Sequence, residues 1–160
     1  MKEILFGLDG GGTGSRLRIA DLNNTELARV EGEGINPQAV GYAKALERIR
    51  ELFHLGLQTA STRIGESIQI HDITAGCFAV AGAGISTAAR ELEKQVQKEM
   101  GFACPLLFVP DAEAALVGGL KKLEGIILVA GTGSVGRAIV RAFAELGARV
   151  FACDIDEAGL

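Results

Sequence analysis

The run Asp9-Gly10-Gly11-Gly12-Thr13-Gly14-Ser15 holds the residues of this 160-residue chain best suited to chemistry. It lies between two apolar, strand-like runs, Ile4-Leu5-Phe6-Gly7-Leu8 and Leu17-Arg18-Ile19-Ala20. A tight glycine turn between strands lets backbone N–H groups face a bound anion with no side chain in the way. Gly11, Gly12 and Thr13 are the candidate cradle. Asp9, at its mouth, suits a hydrated Mg²⁺ held beside a phosphate. A hairpin loop that needs positive φ also explains glycine here. Three consecutive glycines exceed that need, which favours anion binding.

A second candidate is Asp111, which follows the strand-like Leu106-Leu107-Phe108-Val109 and Pro110. General-base catalysis needs a carboxylate within hydrogen-bond reach of the attacking hydroxyl. By position alone Asp111 is equally a helix N-cap, worth about 1 kcal/mol. Further on, Gly131-Thr132-Gly133-Ser134-Val135-Gly136 closes another apolar run, and Asp154 ends the next one. A lone Gly-x-Gly-x-x-Gly is a weak signal, strengthened here by its strand–helix–strand setting. Asn36, before Pro37, reads as a turn residue.

The elements that must position these groups follow from periodicity. Residues 3–8, 16–21 and 25–31 read as strands, with Asn23-Asn24 making a hairpin of the second and third. Asn36-Pro37 opens a helix whose Val40, Ala43, Leu46, Ile49, Phe53 and Leu57 share one apolar face. Residues 58–73, with Thr59, Ser61, Thr62 and Gly65, read as a loop with a short helix. Residues 75–83 form a small-apolar run that suits an interior parallel strand. Ser86 or Thr87 caps the next helix, with Leu92, Val96 and Met100 on its buried face and Gly101 at its end. The strand at 106–109 and a short helix at 111–116 come next. A βαβ unit closes the chain: strand 126–130, a helix bearing Ile139, Phe143 and Leu146, and strand 149–153.

Composition narrows the partners. With 48% hydrophobic residues the chain can bury a core, and a net charge of −4 argues against nucleic-acid backbone binding. Cys77, Cys104 and Cys153 are odd in number and lie far apart, which reads as buried free thiols in a reducing compartment. His54 and His71 share no ligand spacing with them, so no Cys/His metal site is indicated. The apolar start is too short for a signal peptide, and no run approaches the ~20 residues of a membrane span. The expectation is a cytoplasmic, soluble protein with no membrane or nucleic-acid partner. An uncovered βαβ unit has apolar faces to bury, which predicts a homodimer.

Residues 1–134 resemble the N-terminal lobe of the sugar kinase/actin superfamily. Within it they are most similar to the N-acetylglucosamine kinases and the ATPases that activate benzoyl-CoA and hydroxyacyl-CoA enzymes. The resemblance rests on four motifs in order. They are Gly7-Leu8-Asp9-Gly10-Gly11-Gly12-Thr13, Gly82-Ala83-Gly84, Val109-Pro110-Asp111-Ala112-Glu113-Ala114-Ala115, and Ile127-Leu128-Val129-Ala130-Gly131-Thr132-Gly133-Ser134. It implies a ribonuclease-H-like α/β fold with a mixed sheet of order 3-2-1-4-5. It also implies phosphoryl transfer from MgATP, or ATP hydrolysis. Asp9 would orient metal and water, Gly11, Gly12 and Thr13 would cradle phosphates, and Asp111 would be the base. Gly131, Thr132 and Gly133 would be a second phosphate loop.

Residues 133–160 resemble something else, the first βαβ of short-chain dehydrogenases. That likeness implies a pyrophosphate at Gly131, Gly133 and Gly136, with Asp154, 18 residues beyond Gly136, on the ribose of NAD. The family's tyrosine and lysine have no counterpart, so hydride transfer is not expected. Together the two likenesses imply a kinase-type lobe over 1–124 and a Rossmann-like βαβ segment over 125–160, packed as one domain. The function expected is that of an engineered or truncated hybrid that binds Mg-nucleotide weakly, with little or no phosphotransfer. The alternatives are a purely structural protein with vestigial sites, or a weak NAD-binding module.

Overall fold

Alternation of apolar and polar residues sets the first three strands. β1 (Ile4–Gly10) buries Ile4, Phe6, Leu8 and Gly10 on one face, and β2 (Gly14–Asp21) buries Ser15, Leu17 and Ile19 opposite them. β3 (Glu26–Glu33) pairs with β2 after a turn in which Asn24 takes φ 63°, the left-handed conformation its type tolerates. These elements come from a computed structural model that describes residues 3–81, Ala83, residues 87–120 and Glu145.

β4 (Ile73–Val80) and β5 (Leu106–Val109) complete the sheet, whose order is β3-β2-β1-β4-β5. β2 and β3 run antiparallel to their neighbours, whereas β1, β4 and β5 are mutually parallel. This is the mixed sheet and strand order the resemblance implied. The expected strands at 126–130 and 149–153, and the helix between them, lie outside the described residues. The chain divides into two compact units, Met1–Asp111 and Ala112–Leu160, and the sheet belongs to the first.

Four helices interleave with the strands: α1 (Pro37–Val40), α2 (Tyr42–Ile64), α3 (Thr87–Glu99) and α4 (Asp111–Leu120). The single helix expected from Asn36 onward is two. Gly41, at φ 79°, ends α1, and α2 restarts in a new phase that exposes Ala43 and buries Ala45. α2 also runs past the point where the sequence reads as a loop, to Ile64, and closes on left-handed Gly65. The polar residues there do not break it. The hydroxyls of Thr59, Ser61 and Thr62 donate to the carbonyls four residues back, at 2.8, 2.7 and 2.9 Å. A 3₁₀ turn over Ile70–Asp72 then leads into β4.

An aromatic cluster binds α2 to the sheet. Phe6 meets Phe53 edge-on, with ring centroids 4.8 Å apart, and Phe78 stacks on Phe108 at 4.5 Å. Gly76 is required by this packing, because a side chain there would fall within the Phe6 ring. Cys77 and Cys104 are half-buried, not buried, and burial pushes the Cys104 thiol up. No helix among the described residues is long and apolar enough to cross a membrane.

Phe53 is 2% exposed and touches three other rings. Phe53→Ala is expected to cost about 3–5 kcal/mol of folding stability. Leu22→Ala, at a site 57% exposed, should stay within about 0.5 kcal/mol. Urea melts of both variants check this.

Candidate functional site

Because β1, β4 and β5 are parallel, their carboxyl ends share one edge of the sheet. Open α/β sheets place ligands beyond that edge. Asp9 and Gly10 end β1 there, and Asp111 follows β5 there as the first residue of α4. β1 and β5 lie two strand spacings apart in the sheet, about 10 Å.

β1 and β2 both run further than the sequence pattern shows, so the loop between them shrinks to Gly11-Gly12-Thr13. Its hydrogen bonds are unequally distributed. Gly11 N–H donates to the Gly14 carbonyl at 3.0 Å. The Gly11 carbonyl accepts from two donors in the β3–α1 loop, Ile35 N–H at 3.1 Å and Asn36 N–H at 3.2 Å. The N–H groups of Gly12 and Thr13, two exposed residues, donate to no protein group among the described residues. Two adjacent N–H groups without a protein acceptor can serve an anion.

The glycines are not there for positive φ, so the plain hairpin explanation does not hold. Among the described residues only Gly41, Gly65 and Gly101 have that conformation. Close approach explains two positions instead. A side chain at Gly10 would come within 2.5 Å of Ile35 Cδ1. One at Gly34 would collide with the Gly12 carbonyl. At Gly12 an added Cβ meets nothing within 4 Å, so neither φ nor packing demands glycine there.

Asp9 is exposed, and its carboxylate forms no ion pair or hydrogen bond with any described residue. Arg16 faces it across the ladder but pairs with Glu31 at 3.3 Å instead. Arg18 and Arg29 are taken by Glu26, and the Arg29 hydrogen bond chiefly holds that carboxyl below its ordinary range. A single open carboxylate beside two N–H groups fits hydrated Mg²⁺, which keeps several waters and uses few protein ligands. Among the described residues no group of three or more His, Cys, Asp and Glu side chains is placed to hold a metal ion.

Asn36 caps α1, its Oδ1 accepting from Gln38 N–H at 2.9 Å, as expected of a turn residue. The sequence reading missed that its loop, Gly34-Ile35-Asn36, braces the glycine loop. The available signal was Gly34, a second glycine two residues after Gly32 and just ahead of Asn36-Pro37. Gly131, Thr132, Gly133, Gly136 and Asp154 lie outside the described residues, as do Gly82 and Gly84.

A five-stranded mixed sheet of this order, with helices between its later strands, is the fold of the sugar kinase/actin-like superfamily. The relatives found are N-acetylglucosamine kinases. An N-acetylmuramic acid/N-acetylglucosamine kinase of Clostridium acetobutylicum is 31% identical over 133 residues, 83% of this chain and 41% of that protein. An N-acetyl-D-glucosamine kinase of Dictyostelium discoideum is 32% identical over 143 residues, 84% of this chain and 43% of its own length. A protein from Chromobacterium violaceum assigned as an N-acetylglucosamine kinase superposes with a TM-score of 0.64 at 29% identity, covering 82% of this chain and 43% of that one. A Porphyromonas gingivalis structure, at 22% identity and a TM-score of 0.54 over 82% of this chain and 42% of its own, shares the fold. This chain thus spans about two-fifths of the length of the curated relatives it matches. No family model matches it.

The loop contacts separate two glycines by experiment. Gly34→Ala is expected to destabilise the fold by about 1–3 kcal/mol, since only backbone could yield. Gly12→Ala should change stability by no more than about 0.5 kcal/mol. Denaturant midpoints of the two variants check the contrast.

Proposed function

We propose that this chain carries the phosphate-binding lobe of an ATP-dependent kinase for an N-acetylated amino sugar. The observation that carries the reading is the outward pair of N–H groups at Gly12 and Thr13 beside the open Asp9 carboxylate. The likeness to N-acetylglucosamine kinases supports an acceptor sugar of that type.

MgATP supplies the phosphoryl group. Gly12 and Thr13 donate N–H groups to its phosphate oxygens, and the small Gly11 lets the backbone approach closely. Asp9 would hold the hydrated Mg²⁺, whose charge would offset that of the phosphates. Asp111 accepts the proton of the acceptor hydroxyl, which sharpens the nucleophile as it attacks. Gly131-Thr132-Gly133 carries the motif of a second phosphate loop. The transferred group needs stabilisation from every side. The part of the site built from Asp9, the glycine loop and Asp111 alone binds nucleotide weakly and turns it over slowly.

Thermal melts of the chain with millimolar MgADP or MgATP test this. Ligand at ten times its dissociation constant adds about 1.4 kcal/mol, a rise of a few degrees at this size. Gly12→Val should abolish the rise, and Asp9→Asn should make it indifferent to Mg²⁺. A cooperative wild-type melt unmoved by either nucleotide overturns the reading.

A further inference from the structure

Helix α2 sends one charged side chain back toward the loops of the site. Arg48 Nη1 donates to the Gly34 carbonyl at 2.6 Å, and its Nη2 forms an ion pair with Glu33. The Arg48 side chain is 19% exposed, whereas that of Glu33 is 73% exposed. An ion pair to so solvated a carboxylate contributes little. The short hydrogen bond to a backbone carbonyl is the stronger hold. Arg48 Nε is buried with no hydrogen-bond partner, the one such side-chain atom found among the described residues.

Its neighbour in this task is Ser15, buried at 3% exposure, whose hydroxyl donates to the Glu33 carbonyl at 2.6 Å. Two consecutive carbonyls, Glu33 and Gly34, are thus pinned by side chains from β2 and α2. The next two N–H groups, of Ile35 and Asn36, converge on the Gly11 carbonyl. That carbonyl and the Gly12 N–H belong to one trans peptide, so they point in opposite directions. Holding the carbonyl toward Ile35 and Asn36 aims the N–H outward. If this peptide turned over, it would present an oxygen to the anion.

We infer that Arg48 is a positioning residue for the glycine loop. By holding the Gly34 carbonyl it seats the β3–α1 loop against Gly12 and fixes the Gly11–Gly12 peptide with its N–H facing outward. The effect on ligand rests on the kinase reading above. The effect on loop order does not.

Amide hydrogen exchange by NMR, together with MgADP titration, tests this on Arg48→Met, Arg48→Lys and Glu33→Gln. In Arg48→Met the Ile35 and Asn36 amides should exchange at least about tenfold faster relative to those of Phe6 and Leu8. MgADP affinity should fall by about tenfold. Glu33→Gln, which keeps the carbonyl contact, should match wild type in both. If Arg48→Met does not fold, Arg48→Lys carries the same comparison, because an ammonium cannot reproduce the guanidinium fork. Unchanged relative exchange at Ile35 and Asn36 overturns the inference, as does a Glu33→Gln profile equal to that of Arg48→Met. Failure of the wild-type chain to bind MgADP overturns the kinase reading instead, and the exchange data still decide the role of Arg48.

Discussion

The peptide unit between Gly11 and Gly12 must satisfy two demands at once. Its carbonyl is the common acceptor for Ile35 and Asn36 N–H, and its N–H is one of the two exposed donors at the carboxyl edge of the sheet. Both are met only if the β3–α1 loop comes within backbone contact of the glycine loop. Gly34 permits that approach, since a Cβ there would overlap the Gly12 carbonyl. Gly10 permits a second one, by leaving room for the Ile35 side chain, which is fully buried. The site is therefore two loops fixed to each other, with rigidity drawn from packing beneath them.

The sheet carries that pair of loops to the right place. Alternation along β1 sends Phe6 and Leu8 into the core and leaves Asp9 on the opposite, exposed face. The arginines of that face are held by Glu26 and Glu31, not by Asp9. An unpaired carboxylate amid three arginines is an arrangement that local charge alone would not predict. Cross-strand register produces it, by placing Arg16 opposite both Asp9 and Glu31.

Much of this was legible in the sequence, and the failures have physical causes. The hairpin at Asn24, the alternating strands and the stop at Gly101 follow from residue types with few conformational options. The strand order came from four motifs in sequence, not from periodicity. The end of α2 was misread because Thr59, Ser61 and Thr62 look like loop residues. Within a helix, each can return its hydroxyl to the carbonyl four residues back. The helix phase was misread at Gly41, since a single positive φ resets which residues face inward. For the site, the glycine loop and Asp9 were visible because glycine runs and an acid at a strand end are unusual. Gly34, Ser15 and Arg48 were not. Their roles depend on contacts between segments fourteen or more residues apart, such as Arg48 with Gly34 and Ser15 with Glu33. No local pattern encodes such contacts.

The central place of β1 has a kinetic consequence. Ile4 pairs with Asp21 on one side and with Ile73 on the other. The first pairing closes a short loop, whereas the second must wait for a much longer stretch of chain to be brought round. The β1–β2–β3 meander, with its glycine turn, can assemble from neighbours in sequence. The parallel half of the sheet, and with it the strand that delivers Asp111, has the larger entropic barrier to cross. The glycine loop and Asp111 thus belong to parts of the fold with different contact orders. They come to share one edge only when the last strand docks.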